Sequence, residues 1–276
     1  MKRTILEVLA DFTSLVVPLQ YIFDFFPVIK ARPYSIASSP RVHPGQVHLC
    51  VAVVNYRTRM STPRLGICTT YMQTWESGDV VKIKLQRGVL KVPEDLSVPI
   101  VCIGPGTGVA PMRSVLLTRA AQIEHVGASS LPARDQGIPN TGDQQLNSNY
   151  TTQTVDSSGP KYPLALFFGC RYSLMDHLYS DTWPSIIKYN AAFSRDQPDK
   201  IYVQDLILQN SDWLYDWVFK RQGLVLVSGS SHGMPGQIRL ALKDVLCRHE
   251  ESSVEESGRR VKQMELVGRL QFDTWS

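Results

Sequence analysis

With 276 residues, 43% hydrophobic and 20% charged, the chain has the make-up of a soluble globular protein of one large or two ordinary domains. A formal net charge of +4 with no basic run argues against a nucleic-acid binder and fits a protein with one local anion site. The five cysteines, Cys50, Cys68, Cys102, Cys170 and Cys247, are widely spaced without a CxxC pair, which argues against a disulfide framework or any metal site of the zinc type and for a reducing, cytoplasmic compartment.

The opening MKRTILEVLADFTSLVVPLQYIFDFFPVIK is apolar, but Asp11, Pro18, Asp24 and Pro27 interrupt it before it reaches the ~20 residues of a membrane span. Glu7 and Asp11 fall too early for a signal-peptide core. Short amphipathic helices are expected near Thr4–Phe12 and Leu19–Phe26, and the abrupt helical start suggests that something precedes it. Residues 34–56 read as strands, with Val47 to Tyr56 (VHLCVAVVNY) fit for burial on both faces. In GDVVKIKLQRG, Val81, Ile83 and Leu85 alternate with Lys82, Lys84 and Gln86, as in a half-buried barrel strand. LKVPEDLSVP then reads as a linker.

Beyond it the rhythm becomes strand–helix alternation. PIVCIG, PLALFFGC, NAAFSR and GLVLVSGS read as strands. APMRSVLLTRAAQIEH, YSLMDHLYSDTWPSII and PGQIRLALKDVLCRH read as helices, and KIYVQDLILQNSDWLYDWVFKRQ starts as a loop and becomes helical. Such alternation predicts a parallel sheet with helices on both faces. RHEESSVEESGRR reads as a solvated helix–helix connection. Residues 127–160 carry almost no apolar anchor and are expected to be a disordered insertion.

Five stretches carry candidate chemistry. In ARPYSIASSP, Arg32 offers a diphosphate partner, Tyr34 a stacking platform and Ser35 a hydroxyl for a ring nitrogen. In GICTTYM, a glycine and small hydroxyl residues open a helix. In VCIGPGTGVAPM, glycines between a strand and a helix let backbone N–H groups approach a phosphate. In AFSRDQPDKIYVQ, Ser194, Arg195, Lys200, Tyr202 and Gln204 combine hydroxyls, cations and a phenol suited to a 2′-phosphoadenosine. The chain ends DTWS. Each stretch alone is equally an ordinary strand, cap or turn; their order and spacing are more telling.

That order resembles the ferredoxin–NADP reductase module of diflavin reductases. RTILEVLADF, PVIKARPYSIASSP and LFFGCR look most like the NADPH-dependent diflavin oxidoreductases of cytosolic iron–sulfur assembly. The resemblance implies a partial antiparallel FAD-binding β-barrel with a helical segment over 1–94, N-terminally incomplete, then a parallel-sheet NADPH-binding domain over 95–276. It implies that Arg32, Tyr34, Ser35, Cys50, Val51 and Ala52 hold FAD, with Gly66, Ile67, Cys68 and Thr69 on its diphosphate. Thr107 would touch the NADPH diphosphate, and Ser194, Arg195, Lys200, Ile201, Tyr202, Val203 and Gln204 its adenosine end. Ser35, Asp273 and Trp275 would serve hydride transfer, with Trp275 over the flavin. The partners implied are an FMN-binding flavodoxin-like domain upstream, with FMN only there, and an iron–sulfur assembly electron acceptor. A cytochrome-reductase-like enzyme or a non-catalytic nucleotide-binding fragment are the alternatives. Ser228 stands where microsomal reductases carry Cys, and Gln237 where the family often has Asp.

Overall fold

The computed structural model describes residues 3–57, 63–129 and 161–275. The expected insertion at 127–160 lies outside them except for residues 127–129, which complete a helix. The chain forms two compact units, Met1–Pro33 and Tyr34–Ser276. Among the described residues no helix is long and apolar enough to cross a membrane.

In the first unit, α1 (Ile5–Asp11) begins where the Thr4 hydroxyl accepts from the Glu7 N–H and the Glu7 carboxylate accepts from the Thr4 N–H at 2.7 Å. A 3-10 turn at Leu19–Tyr21 leads into α2 (Ile22–Phe25). Both helices match the sequence expectation, yet neither buries a residue.

The second unit opens with extended chain. Among the described residues strand pairing in this segment is limited, and the expected barrel is not confirmed. Ile36 and Leu49 make one isolated bridge, and β1 (Asn55–Tyr56) pairs with β2 (Arg64–Leu65) over two residues each. A short helix, α3 (Ile67–Met72), follows. Residues 79–88, expected as a strand, pair with nothing among the described residues, and Ile83 and Leu85 are each 67% exposed. Period-2 alternation makes a strand amphipathic, but only a neighbouring strand can satisfy its backbone.

The parallel sheet is complete. Strands β3 (Ile100–Ile103), β4 (Leu164–Cys170), β5 (Ile187–Phe193), β6 (Leu224–Ser230) and β7 (Leu270–Trp275) run in the order β5-β4-β3-β6-β7. Successive residues face opposite sides. Ile100, Cys102, Leu166 and Leu226 pack with Met112 and Leu116 of α4 (Val109–Ser129). Val101, Phe167 and Val225 pack on the other side with α5 (Val203–Gln209), α6 (Ser211–Tyr215), a π-helical turn at Asp216–Lys220, α7 (Met234–His249) and α8 (Val254–Leu266). Burial on both faces explains the continuous apolar runs.

Helix α4 also anchors the segment that precedes the sheet. Buried Arg113 donates to the Ala37 carbonyl at 2.9 Å, and Arg119, 2% exposed, donates to the carbonyls of Pro93 and Glu94. Ser39 and Thr118 share a hydroxyl bond of 2.8 Å.

Two further expectations are corrected. Residues 172–187 are turns up to the start of β5, not a helix. Tyr179 takes φ 60°, Arg171 holds the Asp176 carboxylate, and His177 bonds the Tyr189 hydroxyl at 2.7 Å, so side-chain packing overrides local helical preference. The charged stretch at 248–260 is not all connection: Ser253 caps α8 by accepting from the Glu256 N–H, and Ser257, Val261 and Met264 bury one face.

Candidate dinucleotide site

The glycine-rich turn sits between β3 and α4, and its three glycines do different work. A Cβ on Gly108 would lie 2.1 Å from the Ser228 carbonyl oxygen, and one on Gly104 would lie 2.7 Å from that of Gly108. Those two let backbone pack on backbone. Gly106 takes φ +56°, and a Cβ there would meet nothing within 4 Å, because it faces open space. Only this third glycine clears room for a ligand.

The space is a cleft of about 840 Å³ at the carboxyl ends of the strands. Strands β3 and β6 are neighbours, and the chain order reverses between them, which is where open α/β sheets bind ligands. Pro105, Gly106 and Thr107 form its floor beside the amino end of α4, where free N–H groups and the helix dipole favour an anion. The arrangement fits a dinucleotide diphosphate.

Of the residues expected from sequence, Cys50, Val51, Ala52, Thr107, Ser194, Ile201, Tyr202, Val203 and Gln204 line this cleft. Arg195 and Lys200 flank the lining residues Ser194 and Ile201 and make no ion pair among the described residues. The Tyr202 N–H donates to Asp205 at 2.8 Å, opening α5. Ser194 is held in place as its N–H and hydroxyl both donate to the Cys170 carbonyl, at 2.9 and 3.2 Å.

The other expected residues lie outside the lining. Arg32 belongs to the first unit, where its guanidinium donates to the Lys30 carbonyl. Tyr34 and Ser35 are half-buried at the start of the second unit. Gly66 opens α3; a Cβ there would sit 2.6 Å from that of Val54, so the glycine serves packing. Thr69 is buried, and its hydroxyl accepts from the Val54 N–H and donates to the Gly66 carbonyl, which leaves Ile67 and Cys68 to open the helix. Asp273 stands beside Ser228 in the β6–β7 register, and Trp275, 41% exposed, beside Ser230. Of the expected FAD residues, Cys50, Val51 and Ala52 border the cleft.

Sequence reasoning missed part of the lining, including Gly169, Arg171, Asp176 and His232. Gly169 had a signal: a Cβ there would meet Val203 at 2.9 Å, so the strand end must stay bare where α5 approaches. Arg171 is held by Asp176 through bonds of 2.9 and 3.3 Å, a pairing invisible before the turn at 172–176 is folded. Burial first, then the carboxylates of Asp176 and Asp196, push the Cys170 thiol up to about 11. Burial likewise raises the Cys50 thiol, partly offset by a bond to Tyr179. The Ser228 hydroxyl is fully buried and has no hydrogen-bond partner among the described residues.

Comparison with known proteins matches this geometry. Residues 102–239 match the family described as the oxidoreductase NAD-binding domain, and residues 1–71 match the FAD binding domain. The chain belongs to the oxidoreductase NAD-binding family. It is 34% identical to NADPH-dependent diflavin oxidoreductase 1 of Cryptococcus neoformans over 268 residues, which is 95% of this chain and 38% of that protein. Proteins of the same name from Xenopus laevis and Arabidopsis thaliana are 34% and 32% identical across the whole chain, in each case over 41% of their own length. The resemblance drawn from the motifs is thus borne out, and the chain spans about two fifths of the curated relatives it matches.

Proposed function

We propose that this chain binds NADPH in the cleft at the ends of β3, β4, β5 and β6 and serves hydride transfer to FAD, as the NADPH-binding part of a diflavin oxidoreductase. The observation that carries the reading is the open cleft at the strand-order reversal, with Gly106 and Thr107 at the α4 amino end and Ser194 and Tyr202 at its side. Thr107 and the α4 N–H groups would hold the diphosphate. Arg195 and Lys200, which make no ion pair among the described residues, would meet the 2′-phosphate, with Ser194, Tyr202 and Gln204 around the adenosine and Ile201 and Val203 as apolar support.

NADPH would supply the hydride and FAD accept it. Asp273, beside Ser228 in register, would stabilise positive charge on the nicotinamide side. Ser35 would donate to a flavin nitrogen, Tyr34 would stack, and Arg32 with Gly66, Ile67, Cys68 and Thr69 would take the flavin diphosphate. Trp275 would cover the flavin face. In this reading residues 1–94 are the FAD-binding part, of barrel type, and 95–276 the NADPH-binding part. An FMN domain in the same protein and an iron–sulfur assembly protein in the cytoplasm would be its electron partners.

A second reading, a nucleotide-binding module without flavin chemistry, is favoured by one observation: residues 79–88 are unpaired and mostly exposed. Incubation with FAD, gel filtration and an absorbance spectrum separate the two. A flavin band near one per chain, bleached by NADPH, supports the enzyme; tight NADPH binding by a colourless protein supports the module. No NADPH binding at all overturns both.

A further inference from the structure

Helices α7 and α8 are joined by only four residues, Glu250–Ser253, so they lie side by side and antiparallel. Their edges do not close on each other. A groove of about 560 Å³ separates Gly236, Leu240 and Lys243 on α7 from Gly258, Val261 and Lys262 on α8. Each trio follows the three-and-four spacing of one helical stripe. The groove is independent of the dinucleotide cleft.

Glycine inside a helix costs stability against alanine. Neither glycine here is required by packing. A Cβ on Gly236 would meet nothing within 4 Å, and one on Gly258 would meet only the Lys243 side chain, at 4.0 Å. What the two glycines do is keep the groove wide.

Its charge is one-sided. Arg239 is already satisfied: it donates to Glu265 at 2.6 and 2.8 Å and lies 4.4 Å over the Phe272 ring. Lys243 and Lys262, on opposite walls, have no carboxylate within ion-pair distance among the described residues. Between them lies apolar Leu240, 48% exposed, above Val261, which is 3% exposed and belongs to the core.

We propose that this groove docks a short acidic amphipathic helix of a partner protein. Its apolar side chains would rest on Leu240, and its carboxylates would meet Lys243 and Lys262. The groove follows the axes of two helices for about two turns, roughly 10 Å, which suits a third helix laid along them. A membrane surface would favour cations on a convex face; here they border a recess.

The probe is a synthetic 14-residue helical peptide with leucines three and four apart, flanked by glutamates. Titrated into the 15N-labelled full chain, it shifts the Gly236 and Gly258 amides. By fluorescence anisotropy its affinity falls at least tenfold for Lys243→Glu/Lys262→Glu, and binding to that variant returns with a peptide carrying lysines for the glutamates. Gly258→Leu, which fills the groove without changing charge, also weakens it. NADPH affinity, unchanged in each variant, reports that the fold is intact; if the glutamate pair unfolds the chain, Lys243→Gln/Lys262→Gln is read instead. Equal affinity for wild type and the charge variants, amide shifts elsewhere, or binding of anionic phosphatidylserine vesicles through these lysines with none of the peptide overturns the proposal.

Discussion

Two regions of the second unit, residues 79–88 and strand β4, both carry strand-prone apolar residues and end up in different states. Phe167, in the continuous apolar run of β4, is fully buried between strands and helices, whereas Leu85, in a stretch whose apolar residues alternate with Lys82, Lys84 and Gln86, is 67% exposed. Both have β-prone neighbours. The difference is that β4 lies between β3 and β5, with α4 and α5 over its faces, while residues 79–88 have no strand beside them among the described residues. Apolar alternation is a capacity for burial, and the neighbours decide whether it is used.

The sharpest test of that contrast is a pair of truncations. Phe167→Ala removes a ring stacked on Trp213 at 5.7 Å and should cost about 3–5 kcal/mol in a denaturant titration. Leu85→Ala should fall within about 0.5 kcal/mol. A large loss at Leu85 would mean that the stretch packs. Glycines extend the comparison. Gly108→Ala must push a Cβ into the Ser228 carbonyl, for about 3 kcal/mol lost and weaker NADPH binding. Gly106→Ala, strained only by its positive φ, should cost about 1 kcal/mol.

At the cleft, Arg195→Ala should weaken NADPH binding ~10- to 100-fold while leaving NADH nearly unchanged, since charge-assisted bonds contribute about 1.5–3 kcal/mol. Equal losses for both would show that the cation meets no 2′-phosphate. Trp275→Ala should raise NADH-dependent relative to NADPH-dependent flavin reduction a few-fold, read by stopped-flow bleaching of FAD-loaded protein. An unchanged ratio would reduce the indole to packing.

The smallest effect concerns pH. The Cys170 thiol is held protonated to about 11 by burial and two nearby carboxylates. A group whose folded pKa is raised contributes stability that is present below its unfolded value and lost as pH rises through the folded one. Stability should therefore decline slightly as pH climbs toward 11, and Cys170→Ser should remove part of that slope in thermal melts. Alkylation of Cys170 should also stay slow until that range.

Much of the parallel half was legible in the chain. PIVCIG, PLALFFGC and GLVLVSGS are continuous apolar runs, and a strand buried on both faces needs no more to be recognised. The first helix near Thr4–Phe12, the helix at PGQIRLALKDVLCRH and the order of the dinucleotide motifs were equally readable, because each depends on residues within a few positions. Strand β7 was not: LQFD alternates for only four residues after Gly268, too short a signal by itself, and it is a strand because β6 offers it an edge. The turns at 172–186 likewise follow from Arg171 meeting Asp176 and His177 meeting Tyr189 across the fold.

The sequence by itself determined the strand–helix alternation, the family and the glycine-rich turn, since all three rest on local periodicity and short motifs. Only the tertiary structure decided which glycine faces open space and which admits a neighbouring carbonyl. It also decided that Thr69 spends its hydroxyl on Val54 and Gly66, and that the stretch at 79–88 stays unpaired. These are matters of what lies within a few ångströms in space, and residues such as Gly108 and Ser228, 120 positions apart in the chain, meet only after the sheet has closed.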